Sequence, residues 1–448
     1  MKMTLFHEFK QKTEQADWSK NPELGLLDTI LESHPELLDL VKPDITFGQK
    51  ESNFGRKDMP SVEQVLRAAL FKEIRGLDYR ELEYAQSDSR ICGRFIKLNP
   101  ERLYSFQMYQ AYISRIKEAS LQELMVEINK VAIAEGLESV EQFRQDSFVV
   151  ETNIHFPTNN SLVWDCIKEC HRLLGQLSDE VSGLAYMDNM KGAKKTYFKI
   201  NNTKTGDKRV DLFNKQLILF TKVINNVSNA IKKKNCCSSI AGLGIIGSLE
   251  SLMPLLAQVY DMTYRREIAG ETVPNDQKLF SIYELHTDII VKGARKIKFG
   301  HKVNVGTGKS NLILVCDNLE GNPADSTLYQ GTMEKVIESY GRVPRDSATD
   351  GGYASKANAD YAVSKGVLNI VFNKIVGSLK NIVSSKNMET RLKKWRSGIE
   401  ANISNLLRGF GLTRCNWKGH GHFKSKVLWS VIAYNIRVMT AALTMQMV

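Results

Sequence analysis

Three acidic residues far apart in the chain could together hold a pair of divalent cations. Asp146 lies among alternating apolar residues, Asp350 stands directly before Gly351-Gly352, and Glu400 lies in a long helical segment near the C-terminus. Phosphoryl transfer is commonly carried out by two metal ions, and hard cations take carboxylate oxygens as their ligands. The sequence therefore predicts a metal site made of Asp146, Asp350 and Glu400, provided that the fold brings them together.

The neighbours of the two aspartates suggest how each carboxylate is presented. Asp146 would share one face of a strand with Phe148 and Val150, where an acid is costly unless a cation compensates its charge. Asp350 would end another strand, and the two glycines after it allow the backbone to turn sharply. That turn would leave the carboxylate at the open end of the sheet, where ligands bind in such folds.

Glu400 belongs to the last long helical segment before the C-terminal run. Its buried stripe is formed by Met388, Leu392, Trp395, Ile399, Ile403 and Leu406. At 3.6 residues per turn, Glu400 falls on the margin of this stripe, with Arg396 one turn earlier on the same side. The alternative is an exposed Arg–Glu pair, which contributes only about 0.2–0.5 kcal/mol.

The elements that must position these acids follow from the hydrophobic periodicity. Strand character starts at Phe143, gives way to a long helical stretch, and resumes near Ser281. The segments 299–305 and 311–316 flank Gly306-Thr307-Gly308-Lys309 and indicate a hairpin. The elements after the hairpin are predicted to be a helix (324–340), a strand (343–349), a helix (355–365), a strand (367–372) and the long helix. This order predicts an α/β fold with a ribonuclease H-like mixed sheet flanked by helices.

The region before the first strand is predicted to be all helical. Ser61 with Gln64 and Asp78 with Glu81 form two capping boxes, which start two short helices in close succession. Such a pair is typical of a helix-turn-helix module, although a generic helical bundle has the same periodicity. The predicted organisation is a helical DNA-binding domain (1–140), the first core strand (141–160), a helical insertion (161–275) and the rest of the catalytic core with C-terminal helices (276–448).

The basic composition fits an anionic partner and a merely basic soluble protein equally well. Lys and Arg number 61 against 50 Asp and Glu, a net charge of +11. An anionic partner such as DNA would be favoured because neutralising its phosphates releases counterions.

Seven cysteines, an odd number, favour reduced thiols. Cys166, Cys170 and His171 lack the usual spacing of a zinc site. The charged N-terminus (1–18) and the polar interruptions of the apolar segments near 240–256 and after 427 predict a cytoplasmic protein without membrane contact.

Basic side chains alternate with glycines after Glu400, a pattern that lets ammonium groups and backbone amides approach phosphates. Trp417 could stack on an unpaired base, or it could lie in the core. The predicted DNA-contact residues are Arg396, Arg408, Arg414, Trp417, Lys418 and Lys424.

Long segments of the chain resemble the DDE transposases of bacterial insertion sequences, in the group called ISNCY. DSFVVETNIHFPTNNSLVWD resembles the segment of the first catalytic aspartate, ATDGGYASKANAD that of the second, and WRSGIEANISNLLRGFGLTRCNWKGHGHFKSKV that of the glutamate. GNPADSTL, in which Asp325 would open a helix, also resembles the family. Two positions depart from the family pattern: Lys393 stands where related transposases have a tyrosine, and Leu407, followed by Arg408, where they have a lysine.

The resemblance implies DNA cleavage and strand transfer at the ends of a mobile element. Asp146, Asp350 and Glu400 would then bind two Mg²⁺ ions, with Mn²⁺ as a substitute. The partners would be the terminal inverted repeats and target duplex DNA, held by a homodimer or larger assembly associated with the bacterial nucleoid. Because Leu217, Phe220, Ile224, Val227 and Ile231 are spaced like a coiled-coil seam, the insertion is a candidate for pairing two chains.

Three other functions compete with this one. Gly306-Thr307-Gly308-Lys309-Ser310 is similar to a nucleotide-binding loop, but Val303 stands where that loop needs a glycine, and a strand rather than a helix is predicted to follow. A transposase-derived protein that only binds DNA would be expected to lose its acids, and all three are present. A nuclease on the same fold would cut DNA without joining ends.

Overall fold

A computed structural model describes residues 18–48, 59–99, 101–181, 184–204, 206–292, 296–375 and 378–446. The charged N-terminal stretch, apart from Trp18, lies outside the described residues. The chain divides into two compact units. One comprises the residues up to Asn153 together with those from Ile290 onwards, and the other is the segment Ile154–Ile289.

Among the described residues, seven α-helices precede the sheet: α1 (Pro22–Ser33), α2 (Leu37–Ile45), α3 (Val62–Arg75), α4 (Tyr79–Asp88), α5 (Arg90–Phe95), α6 (Phe106–Ile113) and α7 (Glu118–Ala134). Both predicted capping boxes are confirmed, at Ser61 before α3 and at Asp78 before α4. Gly76 ends α3 in the left-handed conformation, with φ of 66°, which favours glycine. The buried faces of these helices belong to the same hydrophobic core as the sheet.

The strands are β1 (Gln142–Thr152), β2 (Asp288–Lys292), β3 (Lys296–Thr307), β4 (Ile313–Asn318), β5 (Asp346–Asp350), β6 (Asn369–Asn373) and β7 (Arg414–Cys415). The sheet runs in the order β2-β3-β1-β5-β6, with β4 pairing β3 and β7 pairing β1. β3 is antiparallel to β1 and to β4, which confirms the predicted hairpin, whereas β5 is parallel to β1 and to β6. The fold is therefore a mixed α/β sheet, as predicted.

The segment Ile154–Ile289 is helical and has its own core. Its helices are α8 (Asn159–Glu180), α9 (Met190–Asn201), α10 (Asp207–Lys232) and α11 (Ile240–Glu267). Cys166 and Cys170 lie buried in this core, and burial raises the pKa of both thiols, to about 12 for Cys170. His171 contacts the carbonyl of Ile167 at 2.9 Å. These contacts place all three side chains in the packing of the helices.

The expectation that the seam of α10 pairs two chains is wrong. Leu217, Phe220 and Val227 are buried in the core of this unit, at 0–3% exposure. Spacing of three and four residues predicts a buried face, but the same spacing arises whether the covering helix belongs to the same chain or to another.

Four further helices complete the first unit: α12 (Asp325–Tyr340), α13 (Lys356–Ser364), α14 (Lys386–Gly409) and α15 (His420–Gln446). By length and composition alone, two of the described helices, α11 and α15, could cross a membrane. Most of the apolar window of α15 is buried, with Trp429 and Ile436 fully covered, so α15 acts as a core helix. The corresponding window of α11 is mostly not buried inside the protein.

Candidate active site

Parallel pairing of β1 with β5 brings the two aspartates side by side. The register joins Gln142 to Asp346 and continues to Gln145 opposite Thr349, so Asp146 and Asp350 are the next residues on their strands. A side chain at Gly351 would meet the carbonyl oxygen of Lys374 at 2.6 Å. Only a glycine therefore fits the turn that leaves Asp350 at the end of β5.

One guanidinium joins the three predicted acids. Arg396 Nη2 lies 2.9 Å from Asp146 Oδ2 and 3.8 Å from Asp350 Oδ2, and its Nη1 lies 3.0 Å from Glu400 Oε1. The Arg396 side chain is 7% exposed, while those of Asp350 and Glu400 are 45% and 67% exposed. The structure thus brings together Asp146, Asp350 and Glu400, although 204 to 254 residues separate Asp146 from the other two in the sequence.

A second arginine, which no pattern in the sequence marks, holds α14 against the sheet. Arg144, on β1, donates to the carbonyl of Trp395 and to Asn311 Oδ1, and its Nε donates to Thr307 Oγ1 at 2.9 Å. Its guanidinium lies 4.6 Å from the centre of the Trp395 ring. Burial lowers the pKa of Arg144 to about 10. Trp395 directly precedes Arg396, so the contact between Arg144 and Trp395 fixes where α14 crosses β1.

Glycine at position 398 is part of this contact. A side chain there would stand 2.6 Å from Arg144 Nη1. Gly398 lies between Arg396 and Glu400 on α14, so the close approach occurs at the turn of the helix that carries both charged groups. The only signal in the sequence is a glycine inside a helical segment, which indicates close packing without naming the partner.

Asp325 is a further acid near the first strand, but its carboxylate already has a cation. Its Oδ1 lies 2.6 Å from Lys302 Nζ and accepts from Ser147 Oγ at 3.0 Å. The Lys302 side chain is 4% exposed and also donates to the carbonyl of Pro323. These contacts give Asp325 a structural role at the start of α12.

The donor set at Arg396 fits divalent cations. Three carboxylates against one guanidinium leave an excess of negative charge, and their oxygens are the hard ligands that Mg²⁺ prefers. All three carboxylates lie within 4 Å of the Arg396 guanidinium, so a single positive charge already contacts each of them. Asp350 and Glu400 are also exposed enough to meet a solvated ion.

The predicted DNA-contact residues separate into three groups. Arg396 lies among the acids. Arg408, Arg414, Trp417 and Lys418 line one open cleft of about 840 Å³ that also includes the turn between α3 and α4. Lys424 is not among the residues that line it, and its Nζ lies 3.4 Å from Glu118 Oε2. Their roles in DNA binding stay predictions.

Trp417 is half-buried in this cleft. Its ring lies 6.1 Å from that of Tyr79, and Lys72 Nζ lies 5.5 Å from its centre. Beneath them, the buried Glu73 contacts Lys72 at 2.8 Å and also pairs with Lys426. Burial would raise the pKa of the Glu73 carboxyl, but the two lysines outweigh it and hold that pKa below its ordinary value. Trp417 is therefore fixed at the edge of the cleft, with one face against the protein.

The loop that is similar to a nucleotide-binding loop has another use. Buried Glu138 accepts from the backbone nitrogens of Ser310 at 2.9 Å and Leu312 at 3.0 Å. The residues after Ser310 enter β4 rather than a helix. A carboxylate thus takes the amides that a phosphate would need, which contradicts nucleotide binding at this loop.

The mixed sheet, with Asp146 within β1 and Asp350 at the end of β5, defines an α/β protein with a carboxylate-rich candidate site. Residues 284–436 match the model of the family described as transposase DDE domain. The matched segment holds Asp350 and Glu400, while Asp146 lies before it. No curated protein and no solved structure matches the chain. The family match supports a DDE transposase.

Proposed function

We propose that the chain is a DDE transposase of the ISNCY-type group of bacterial insertion sequences, which cleaves and joins DNA in a metal-dependent reaction. The observation that carries the proposal is the convergence of Asp146, Asp350 and Glu400 on one guanidinium, with two of these acids inside the transposase family match. The strand order β4–β3–β1–β5–β6, with a helical insertion after β1, supports a ribonuclease H-like core.

In this proposal Asp146 and Asp350 hold two Mg²⁺ ions, or Mn²⁺ in their place, and Glu400 completes one site. Bound ions of this kind lower the pKa of water and stabilise charge on the phosphoryl oxygens. Arg396 keeps the three carboxylates close together, and Arg144 keeps α14 in place on the sheet. The exposed Glu400 carboxylate orients a water molecule towards the phosphodiester.

The chemistry consists of two displacements at phosphorus. In the first, the oriented water attacks a phosphodiester at the end of the element, and the bond from phosphorus to the 3′ oxygen breaks, which frees a 3′ hydroxyl. In the second, that hydroxyl attacks a phosphodiester of the target DNA, and a new 3′ end of the target leaves. No bond between DNA and protein forms in either step.

The remaining parts of the chain have proposed roles as well. The helical region 1–140 and the cleft with Arg408, Arg414, Trp417 and Lys418 bind the terminal inverted repeats. Two DNA ends must be held at once, so we propose a homodimer or a larger assembly that acts in the cytoplasm.

The decisive experiment replaces one oxygen ligand while keeping the shape of the side chain. We expect Asp350→Asn to abolish Mg²⁺-dependent cleavage of a duplex that carries the inverted repeat flanking the coding region, because the amide loses the negative charge that binds the ions. Binding to that duplex should persist. Cleavage is followed on denaturing gels and binding by fluorescence anisotropy.

The matched control is Asp360→Asn, on the exposed face of α13, which should cut as the unaltered protein does. Normal cleavage by Asp350→Asn would refute the assignment of the acids. Cleavage by the unaltered protein without any joined product would favour a nuclease, and binding without cleavage would favour a DNA-binding protein derived from a transposase.

A further inference from the structure

One part of the helical unit carries a dense run of positive charge. Between residues 190 and 234 there are twelve Lys or Arg and only two acids, Asp207 and Asp211. The local surplus is ten positive charges in 45 residues. A surplus of this density on two helices and the segments that join them is the electrostatic footprint of a surface for a polyanion.

Eight lysines of this segment are exposed and lie away from carboxylates. They lie on α9, on the connection after it and on α10 as far as residue 222: Lys191, Lys194, Lys195, Lys199, Lys204, Lys208, Lys215 and Lys222. Among the described residues, none of the eight lies within 4.0 Å of a carboxylate oxygen. By contrast, Lys168 and Lys234 of the same unit pair with Asp165 and Glu250 at 2.8 and 2.9 Å. The eight ammonium groups are thus available to an external anion.

Their spacing arranges them in rows. On α9, Lys191, Lys195 and Lys199 recur at intervals of four, and on α10, Lys208 and Lys215 are seven apart, with a further lysine seven residues later. Intervals of four and seven keep side chains on one side of a helix, and seven residues advance by about 10 Å. Each helix therefore presents a line of positive charges rather than a point.

The two rows meet at an open cleft of about 650 Å³ between α9 and α10. Its lining includes one acid, Asp211, and four lysines: Lys195, Lys199, Lys208 and Lys215. Asn202 and Thr203 lie in the same cleft and can donate hydrogen bonds to phosphate oxygens. Ala193, Ile200 and Phe213 point into the core instead. Two large apolar side chains, Phe198 and Ile218, are exposed on these helices. Helices that lie on a membrane surface need a broader apolar face, so a phosphate backbone fits this face better.

We propose that the lysine face of α9 and α10 binds the sugar-phosphate backbone of duplex DNA without reading its base sequence. The choice of DNA as the polyanion rests on the proposed function, whereas the charge, exposure and spacing of the lysines do not. The face gives the helical insertion a role in DNA capture, separate from the cleft near Trp417.

The experiment measures how salt weakens binding of the full chain to a random-sequence duplex. The test variant is Lys195→Gln, Lys199→Gln, Lys208→Gln and Lys215→Gln combined. The control variant has the same change in charge at four exposed lysines that already pair with carboxylates: Lys130, Lys168, Lys234 and Lys335. Anisotropy titrations over a range of KCl give the slope of log affinity against log salt, and circular dichroism checks that both variants are folded.

We expect the slope of the test variant to fall by about 3.6, since each of the four lost phosphate contacts removes about 0.9, while the control keeps the slope of the unaltered protein. Replacing the same four lysines by arginine should retain the slope. Three results would overturn the proposal. The slope of the test variant could stay unchanged, the slope could fall equally in both variants, or the lysines could support binding to phosphatidylserine vesicles in place of DNA. Cleavage is not the readout, so a protein that binds through these lysines but never cuts DNA would refute the proposed function alone.

Discussion

Arg396 determines the charge balance of the candidate site. Its guanidinium is buried and contacts three carboxylates, of which only Asp146 is itself largely covered. A buried acid that loses its partner keeps its desolvation cost without compensation. Arg396 therefore stabilises the folded chain before any cation binds, in addition to positioning the acids.

Arg396→Gln tests this role. We expect the free energy of unfolding to fall by about 2 kcal/mol, less than the 3–5 kcal/mol of a fully buried pair because Asp146 is partly exposed. Mg²⁺ should recover more stability in the variant than in the unaltered protein, because an ion supplies the missing positive charge. Urea denaturation with and without Mg²⁺ measures both effects.

Arg391→Gln provides the control on the same helix, since Arg391 is exposed and its guanidinium contacts the sulfur of Met388. It should leave the denaturation curve unchanged. If Arg396→Gln proved no less stable than this control, the guanidinium would not be compensating the acids.

The residues of the site differ in how far they could be predicted. Local patterns pointed to the acids: one carboxylate lies in an apolar strand, one precedes two glycines and one lies on the margin of a helix. Their catalytic role stays a prediction. The burial of Arg396 was not predictable, because the helical pattern allowed an exposed ion pair equally well. Arg144 leaves no local pattern, since its partner Trp395 lies 251 residues away.

At the scale of elements, the position of α14 on the sheet decides whether Glu400 reaches the aspartates. Its capped start at Ser385 and its buried Leu392 and Ile399 keep it helical and packed. Arg144 and Gly398 set how closely it approaches β1. The hairpin and the parallel pair were predictable from alternation and order. The element that covers the buried stripe of α10 was not predictable, because periodicity shows that a face is buried but not which helix covers it.

Gly398→Ala should destabilise the chain and reduce cleavage. Alanine favours a helix by about 1 kcal/mol over glycine, but the added methyl would press against Arg144, whose guanidinium is held by hydrogen bonds and costs about 1–3 kcal/mol to displace. We expect a net loss of stability in urea. We also expect a drop in cleavage rate with DNA affinity retained, as α14 moves away from β1.

Gly331→Ala on α12 is the matched control, because nothing lies within 4 Å of the added atom. There alanine should stabilise the chain by about 1 kcal/mol. Equal stabilisation by both substitutions would show that the contact between Gly398 and Arg144 does not limit the approach of the helix.

At the scale of the whole molecule, the chain consists of two compact units with separate cores. The sheet and its surrounding helices form the first core, and α8 to α11 form the second. Transposase chemistry is proposed for the first unit and capture of duplex DNA for the second. A helical insertion with its own core can vary in surface charge without disturbing the strands that carry the aspartates.

Separate cores predict two unfolding transitions in calorimetry. Phe220→Ala removes a fully buried ring from the core of the helical unit, and Phe95→Ala does the same in the first unit. Each should cost about 3–5 kcal/mol and lower only the transition of its own unit. Ile218→Ala, at an exposed position of the same helix as Phe220, should move neither. A single transition that shifts as a whole in both phenylalanine variants would mean that the cores unfold together.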